Sequence, residues 1–528
     1  MFFRFALIAL MLLVLAPGAA NAAGPADDAA AISAGLRGAV QAGRLSRAEA
    51  QEYRQIVARS RTVMGRVGGS RAVVLRRVLG QVRMQAKIYN RPRALALFSM
   101  LRENTDVLAR RALPRDGTDH VGRGGVVYRV GWGYGLQFHP LANVIALNTL
   151  MYENRLGRAA TLAASLAARA VPRSGGGAVW EYYFPYAGGR APWTSGMAQA
   201  VGAQAFARAA RRLTAPDFFA IADSAYRVIP RALVRGVSTG PWIRLYSFNG
   251  MVVLNAQLQA ILSLLDYGKI VDNVAAIGLA DRMEDAARKL LPAFDTGAWS
   301  NYLPGQEAVL KYHLYHVELT GFLGKRTNAD VWQATHARFN RYTREPPAFK
   351  SGGAAAPFYP WPRDGFRDST RISFWVSKIS SPTVSVGGQR FALGLRRRGW
   401  HSVVWRPGRK AARAYSPGVS ARDLAGNTGS ARLRAVTVAV DRKAPVVNAN
   451  VVGRKLTWKA VDPTTPWLRM WAVIQRGDVT KRLQLGRRPL SGSLVLAVPR
   501  GTWRAALWAS DSSGNRTRVP LGSVPAPR

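Results

Sequence analysis

Phenol and imidazole side chains converge on one short stretch of the chain, residues 294–323. Tyr302 precedes a segment of helical periodicity, on which Tyr312 and His316 lie one turn apart with His313 beside them. The concentration is notable because the whole chain has only six histidines. Both residue types can take or give a proton during catalysis. They can equally form the aromatic core of a buried helix, so spacing alone leaves both interpretations open.

Long helices with apolar periodicity must position these side chains. The pattern predicts helices over 197–212, 253–265 and 279–291, and a fourth from about Gln306 that carries Tyr312. Loops rich in aromatic residues and glycine precede the first, second and fourth of them. Helical hairpins whose loops gather at one end indicate an α/α toroid or partial barrel, with a groove at its mouth. We therefore predict an all-α catalytic part with a short β segment, over residues 119–346.

The segment before this part, residues 23–118, has the pattern of an N-terminal helical region. Ser46 and Glu49 are spaced as a capping box at the start of one of its helices. No residue pattern in this region suggests chemistry.

After residue 346 the pattern changes to short alternating runs that are typical of strands. Asp423 with Gly426-Asn427 and Asp511 with Gly514-Asn515 repeat one motif 88 positions apart (511 − 423). Each motif resembles the strand-turn-strand of a bacterial immunoglobulin-like domain, where these residues shape a tight turn. Two all-β Ig-like sandwiches are expected, at residues 347–443 and 444–528.

The N-terminus has the features of a secretory signal peptide over residues 1–22. A basic start is followed by an apolar run and by an Ala20-Asn21-Ala22 cleavage site. No later run is as apolar, so no membrane span is expected after cleavage. We predict a bacterial protein that is secreted or associated with the cell surface or cell wall.

The composition favours an anionic partner. The net charge is +46, with 75 basic and 29 acidic side chains, and there is no cysteine. Such a chain attracts polyanions, and a secreted protein meets acidic glycans before it meets nucleic acid. We expect an acidic polysaccharide as the partner, with a cell-wall polymer as a further partner of the sandwiches, and no nucleic acid. No disulfide or thiol chemistry is available.

Four stretches in the helical part, taken in order, resemble the C-terminal catalytic domain of D-glucuronyl C5-epimerases. They are GYGLQFHPLANVIAL, APWTSGMAQAVGAQAFARA, LYSFNGMVVLNAQLQAILSLLDY and FDTGAWSNYLPGQEAVLKYHLYHVELTGFL. Each motif alone is weak, but four in the same order with similar spacing are fairly specific. The resemblance implies an isomerase that converts D-glucuronate units of a heparan-type polysaccharide to L-iduronate.

The resemblance further implies that Tyr246, Tyr302 and Tyr312 are the catalytic positions. The chemistry is compatible, because C5 inversion needs one group to remove a proton and another to return one on the opposite face. Phenols have an ordinary pKa near 10, so a phenolate base needs nearby cations. The substrate carboxylate must also be neutralised, and Arg190 and Arg244 are our candidates for that role.

Other residues of the same stretches are expected to bind substrate. They are Tyr186, Trp193, Asn255, His313 and His316. The two histidines form an H-x-x-H pair that lacks a third ligand at a defined spacing, so we expect hydrogen bonding and no metal. No cofactor is expected.

One departure from the family leaves alternatives open. Leu245 stands where the family has a glutamate, directly before the tyrosine that matches Tyr246. Glu181, Glu307 or Asp295 could replace that carboxylate, or the tyrosines could act alone. A uronate polysaccharide lyase would use the same proton abstraction, and a non-catalytic glycan-binding or wall-binding protein would use the same groove. A glycosidase is not expected, since it would need two positioned carboxylates.

Overall fold

The protein is represented by a computed structural model that describes residues 25–131, 133–353, 357–363, 365–408 and 412–525. The chain forms two compact units, Met1–Tyr342 and Thr343–Arg528. The first unit is helical and the second is built from strands, as the sequence predicts. The predicted signal peptide lies outside the described residues. Among those residues, no helix combines the length and the apolarity needed to cross a bilayer.

Twelve α-helices form the described part of the first unit. They are α1 (Pro25–Gln41), α2 (Arg47–Val67), α3 (Gly69–Met84), α4 (Arg91–Leu108), α5 (Pro140–Tyr152), α6 (Leu156–Ala167), α7 (Gly196–Arg212), α8 (Asp217–Val228), α9 (Leu254–Val271), α10 (Val274–Leu290), α11 (Leu310–Thr327) and α12 (Asp330–Tyr342).

The last eight of these helices form consecutive hairpins. Helices α5, α7, α9 and α11 pack side by side in that order, and each also packs against the helix that follows it, α6, α8, α10 or α12. Helix α7 is buried along almost its whole length, as α9 is, whereas the return helices α8 and α10 have one buried face. A helix that is apolar on all sides belongs inside a domain, and an amphipathic helix belongs at its surface. The inner and outer rows form the predicted partial α/α toroid.

The N-terminal helices form a small bundle of their own. Helix α2 begins with the predicted capping box, since the Ser46 hydroxyl accepts the Glu49 backbone N–H at 3.1 Å and the Glu49 carboxylate accepts the Ser46 N–H at 2.8 Å. Helices α2 and α3 each pack against α4, which also contacts the strands before α5.

Short hairpins connect the helices of the first unit. Their strands are β1 (Asp119–Val121), β2 (Val127–Gly131), β3 (Gly135–Phe138), β4 (Val171–Arg173), β5 (Gly177–Val179), β6 (Val234–Val237), β7 (Gly240–Ile243), β8 (Asn301–Leu303) and β9 (Gln306–Glu307).

The hairpin β8–β9 corrects one helix boundary. The sequence predicts a helix from about Gln306, but α11 begins at Leu310 and Gln306 pairs with Leu303 in the hairpin. Between the strands, Gly305 adopts a φ of +77°, which is strained for other residues and turns the chain back. The hairpin places Tyr302 on a strand next to the start of α11.

The second unit is a tandem of two antiparallel sandwiches. Its strands are β10 (Phe349–Ser351), β11 (Thr370–Val376), β12 (Ser380–Val386), β13 (Gln389–Ala392), β14 (Gly399–Trp405), β15 (Arg413–Tyr415), β16 (Gly418–Asp423), β17 (Thr428–Arg432), β18 (Val436–Val438), β19 (Val446–Val452), β20 (Lys455–Val461), β21 (Trp467–Arg476), β22 (Val479–Pro489), β23 (Ser491–Val495), β24 (Trp503–Ser510) and β25 (Arg516–Val524).

The two sandwiches repeat one topology. In the first, a sheet of order β10-β11-β14 faces a sheet of order β13-β12-β16-β17, and in the second β19-β20-β23 faces β22-β21-β24-β25. Each pair of sheets encloses its own hydrophobic core. The repeated aspartates close the same turn in each repeat: Asp423 accepts the Asn427 backbone N–H at 2.8 Å, and Asp511 accepts that of Asn515 at 2.9 Å. Both sandwiches are therefore Ig-like, as predicted.

Candidate functional site

The loops that enter the inner helices meet at one end of the helical unit. Each inner helix is followed by a return helix, so α5, α7, α9 and α11 run in the same direction and present their N-termini together. The His139 ring at the start of α5 lies 5.2 Å from that of Tyr182, in the loop before α7. The Ser247 backbone N–H, before α9, donates to the Thr194 carbonyl, before α7, at 2.9 Å. This end of the toroid collects the sequence-predicted residues.

Four tyrosines form a cluster at this end. The ring centroids of Tyr302 and Tyr312 are 4.6 Å apart, and those of Tyr186 and Tyr246 are 5.2 Å apart. The Tyr246 hydroxyl interacts with the hydroxyls of both Tyr186 and Tyr302, which couples the two pairs. Tyr246 is buried, while the other three are half-buried. The structure thus brings together the three predicted catalytic tyrosines and Tyr186, which was predicted only to bind substrate.

Burial holds these phenols in the neutral form. It raises the pKa of Tyr246 well above the ordinary value, and the neighbouring tyrosines raise it further. Burial likewise raises the pKa of Tyr186, Tyr302 and Tyr312. The expected phenolate is therefore not the resting state of this site, and any phenolate needs a cation beside it.

Two cations that were not among the predicted site residues interact with Tyr312. The Lys311 ammonium nitrogen is 5.2 Å from the Tyr312 ring centroid. The Arg129 guanidinium, which is 8% exposed, opposes the effect of burial and lowers the pKa of Tyr312. Burial lowers the pKa of Lys311, and the charge of Arg129 lowers it further, so these two cations are near each other. Asp119 holds the Arg129 guanidinium by two bonds of 2.7 Å.

A sequence signal exists for only one of these two cations. Lys311 is the immediate neighbour of Tyr312 in the sequence, and this adjacency is the signal. Arg129 is 183 positions before Tyr312 (312 − 129) and lies on β2, whose approach to α11 depends on how the toroid closes.

An aromatic layer supports the tyrosine cluster from behind. Trp193 is stacked on Tyr182 with ring centroids 4.0 Å apart, and its indole N–H donates to the Phe184 carbonyl at 2.7 Å. The Tyr246 ring meets Trp193 edge-on at 5.5 Å and stacks with Phe248 at 5.5 Å. Trp193 is buried, so in this structure it fixes the orientation of Tyr246 and offers no open face to a sugar.

The remaining predicted substrate ligands occupy different environments. Arg190 is exposed on the loop after Tyr186. Arg244 is half-buried, and its guanidinium makes a long bond of 3.4 Å to the Asn249 carbonyl. Asn255 is buried near the start of α9, and its side-chain oxygen has no hydrogen-bond partner among the described residues. The roles of Arg190 and Arg244 as carboxylate ligands stay predictions.

The two histidines of α11 form a hydrogen-bonded network around Ser300. The Ser300 hydroxyl lies 2.7 Å from His313 Nδ1 and 2.8 Å from His316 Nδ1. His313 Nε2 lies 2.9 Å from the Phe339 carbonyl, so this nitrogen carries the proton and Nδ1 accepts. The hydroxyl then donates to His313 and accepts from His316, which leaves His316 Nε2 as a buried acceptor without a partner among the described residues. Burial lowers the pKa of His316, which keeps it neutral.

The carboxylates that could replace the family's glutamate are already engaged. Glu181 is fully buried, and it binds Arg93 at 2.8 and 2.9 Å and Arg173 at 2.5 Å. Burial raises the pKa of Glu181, but the two arginines outweigh burial and lower it below the ordinary value.

Asp295 and Glu307 are held in a similar way. Asp295 accepts bonds from Arg338, Tyr342 and the Gly297 backbone N–H. Glu307 is buried within the β8–β9 hairpin, and Leu245 is buried next to Tyr246. A carboxylate base is therefore less well placed here than the phenols are.

One acidic group with the spacing of metal ligands lies elsewhere, in the unit that is built from strands. Buried Asp441, Asp462 and Asp511 have carboxylate oxygens that all lie within 4.8 Å of one another. Burial raises the pKa of Asp511, and the other two carboxylates raise it further. Oxygen ligands of this kind could hold a hard divalent cation. The sequence analysis did not foresee this group, because its members belong to three separate turns.

The fold and the site together define a class: a helical toroid that carries clustered phenols, followed by two Ig-like sandwiches. Residues 175–341 match the family model described as the D-glucuronyl C5-epimerase C-terminus. The match covers the loops before α7, α9 and α11 and all four clustered tyrosines. Residues 175–341 thus form a C5-epimerase-like, carbohydrate-active domain, and the resemblance stated from the sequence is confirmed over these residues. No curated protein matches the chain.

Solved structures share only distant similarity with this chain. An endo-β-1,4-glucanase, CMCax from Acetobacter xylinum, is 12% identical, with a TM-score of 0.28, over 34% of this chain and 59% of that chain. The fibronectin(III)-like modules of CbhA from Clostridium thermocellum are 17% identical, with a TM-score of 0.15, over 34% of this chain and 93% of that chain. These similarities say nothing about activity.

Proposed function

We propose that the protein inverts C5 of D-glucuronate units, giving L-iduronate, in an acidic polysaccharide. The observation that carries this proposal is the cluster of four tyrosines at the end of a toroid, inside the segment that matches the epimerase family model. The net charge of +46 supports an anionic substrate. The signal-like residues 1–22 support action outside the cytoplasm.

We assign the base to Tyr312. C5 lies next to the uronate carboxylate, so removing its proton builds negative charge that needs a cation nearby. Lys311 and Arg129 are the cations beside this cluster, and Arg129 favours the phenolate of Tyr312. In this proposal the substrate carboxylate binds next to Lys311 and Arg129. The parallel N-termini of the inner helices, with their partial positive charge, face the same end and favour the same anion.

We assign the acid to Tyr246. Burial raises the pKa of Tyr246 well above the ordinary value, so its hydroxyl stays protonated and can donate that proton to C5. In this proposal Tyr246 recovers a proton from solvent through Tyr186 and Tyr302, with which its hydroxyl interacts and which are both half-buried.

The proton balance of the proposed reaction closes without a cofactor. The C5–H bond breaks as its proton moves to the Tyr312 phenolate, and the electron pair delocalises onto the carboxylate. A new C5–H bond forms on the opposite face with the proton of Tyr246, which becomes a phenolate. Exchange with solvent through the tyrosine hydroxyls then restores both groups.

The decisive experiment follows C5 during incubation of the protein with heparosan in D₂O. An epimerase introduces deuterium at C5 and accumulates iduronate with unchanged chain length, as observed by NMR. A lyase shortens the chain and creates a C4–C5 double bond that absorbs in the ultraviolet, since the same carbanion then expels the C4 oxygen. A non-catalytic binding protein gives neither signal. We expect exchange without cleavage; unsaturated ends, or no exchange with any uronate polymer tested, would overturn the proposal.

A further inference from the structure

One outer sheet face of the second sandwich is covered by arginine and tryptophan. In the sheet β22-β21-β24-β25, the residues Leu468, Met470, Ala472 and Ile474 of β21 point into the core. The alternate residues of the strands therefore point outward. Six arginines occupy this outward face: Arg469, Arg482, Arg487, Arg504, Arg516 and Arg518. We call these six residues, together with Trp471 and Trp508, the arginine face.

The register places the arginines around a central tryptophan pair. Trp471 pairs with Trp508 across β21 and β24, and their rings are parallel with centroids 6.0 Å apart. Trp508 pairs in turn with Arg518 on β25. In the adjacent row, Arg469 pairs with Arg487 on β22.

The tryptophans orient several of these guanidiniums. The Arg482 guanidinium carbon lies 4.2 Å from the Trp471 ring centroid, and that of Arg516 lies 5.7 Å from it. The Arg487 guanidinium carbon lies 3.6 Å from the Trp467 centroid. Cation–π stacking uses the flat face of a guanidinium and leaves its N–H edge available to an anion.

Carboxylates do not neutralise this face. All six arginines are exposed. None of them is in an ion pair within the part of the chain that the structure describes. Because like charges on neighbouring strands repel one another, crowding them there costs stability unless an anion compensates.

The first sandwich provides an internal comparison. Its equivalent sheet, β13-β12-β16-β17, presents Thr383 paired with Ser420, and Ser420 paired with Ser430, where the second sandwich has its tryptophan row. Its arginines, Arg390, Arg422 and Arg432, are spread over the edges of the face. The arginine face is therefore not a requirement of this topology.

We propose that the arginine face of the second sandwich is a binding surface for an extended acidic polysaccharide. Four strands about 4.8 Å apart, with outward residues about 7 Å apart along each strand, spread the cations over a flat area that suits a polymer better than a small ligand. Guanidinium forks match carboxylate groups in two-pronged geometry. The choice of a uronate polymer rests on the proposed function of the helical unit, whereas the existence of an anion-binding face does not.

The test measures retention of the full-length protein on immobilised heparosan at increasing salt. The first variant, R482Q/R487Q/R516Q, removes three charges from the arginine face. The matched control, R390Q/R422Q/R432Q, removes three exposed charges from the equivalent sheet of the first sandwich, so both proteins have the same net charge. A second face variant, R469Q/R504Q/R518Q, retains the arginines that stack on Trp467 and Trp471 and guards against misfolding of the first.

We expect both face variants to bind heparosan about tenfold more weakly and to elute at lower salt, since several charge contacts are lost together. The control should stay within about twofold of the parent, because its charges are not gathered on one face. Equal losses in the face variants and the control, or no loss in either, would overturn the inference. A loss confined to DNA retention would overturn it too and would assign the face to nucleic acid.

The experiments can contradict the inference without contradicting the proposed function, and the reverse also holds. Deuterium exchange on a short heparosan oligosaccharide reports on the helical unit alone, and we expect it to be unchanged in all three variants. Exchange without face-dependent retention would contradict only the inference. Face-dependent retention without any exchange would contradict only the proposed function.

Discussion

The two units of this protein bury titratable side chains in opposite ways. In the helical unit, the Tyr246 hydroxyl interacts with the hydroxyls of Tyr186 and Tyr302, and these two residues are only half-buried. In the first sandwich, Asp423 is saturated by the backbone N–H groups of Ala425 and Asn427 and by the buried Lys378 ammonium. Fixed donors hold the aspartate in a turn, whereas hydroxyl partners can rotate toward a substrate. Burial alone therefore does not distinguish a group that can act on a substrate from one that only stabilises a turn. The kind of polar partner makes that distinction.

The largest effect is expected when single hydroxyls are removed from the tyrosine cluster. We expect Tyr246→Phe and Tyr312→Phe each to lower turnover by roughly 10²–10⁴, the usual worth of one positioned acid or base. Both changes keep the ring, so the aromatic packing around Trp193 survives. The measurement is the initial rate of iduronate formation from heparosan. Tyr53→Phe, in the N-terminal bundle, is the matched control and should leave the rate unchanged. Near-normal rates in both cluster variants would reduce these tyrosines to packing residues.

Glu181 is a buried carboxylate in the helical unit, so it tests whether the contrast between the two units holds. Glu181→Gln should lower the free energy of unfolding by about 3 kcal/mol, since it leaves Arg93 buried without its anion. Chemical denaturation measures this change. Glu153→Gln, in an exposed pair with Arg155, should cost less than about 1 kcal/mol. A stable Glu181→Gln protein without C5 exchange would instead make Glu181 the missing base.

The same pair predicts a pH dependence. The pKa of Glu181 is below its ordinary value of 4.5 in the folded protein. Its contribution to stability is therefore complete above pH 4.5 and is lost as the pH falls through the folded pKa. The stability difference between the parent and Glu181→Gln should shrink in acid, as denaturation at a series of pH values would show.

A smaller effect is expected from the phenol that connects the two pairs. Tyr302→Phe removes the hydroxyl that interacts with Tyr246 but neither proposed proton-transfer group, so turnover should fall by about tenfold. The rate of iduronate formation from heparosan again measures this effect. A loss as large as that of Tyr312→Phe would show that Tyr302 transfers a proton itself, and the assignment of the base would have to change.

The smallest effect on catalysis is expected from deleting residues 347–528. The sandwiches form a separate compact unit, and their repeated aspartates close turns. Exchange on short oligosaccharides should stay within about threefold of the parent, whereas retention on immobilised polymer should fall. A truncated protein that is well folded by circular dichroism but inactive would contradict this division of labour.

Much of the architecture follows from local sequence patterns. The helix predicted over 197–212 is α7, Gly196–Arg212, because a segment rich in alanine and other small residues fits a helix that is buried along almost its whole length. The repeated Asp and Gly-Asn motifs locate both sandwiches for a similar reason, since the aspartate bonds the backbone a few residues away. Local rules act within such distances, so they can be read from one segment.

The parts that could not be predicted depend on distant contacts. Gln306 reads as helical, but the turn at Gly305 pairs it with β8 instead. Trp193 was expected to bind substrate, and the sequence does not show that it is buried against Tyr182 from its own loop. Arg129 acts on Tyr312 only because the fold brings two distant parts of the chain within electrostatic range. The sequence therefore predicts which tyrosines lie close together, but it does not predict which cation interacts with them.

The most direct test of the two-tyrosine mechanism compares exchange with inversion in Tyr246→Phe. The variant lacks the proposed acid but keeps Tyr312, Lys311 and Arg129. During incubation with heparosan in D₂O, it should still introduce deuterium at C5 of glucuronate, because Tyr312 can remove the proton and return a deuteron to the same face. Iduronate should form at least about a hundredfold more slowly than with the parent. Exchange and inversion that fall by the same factor, or inversion that persists at the parent rate, would contradict the assignment of base and acid to opposite faces of the sugar.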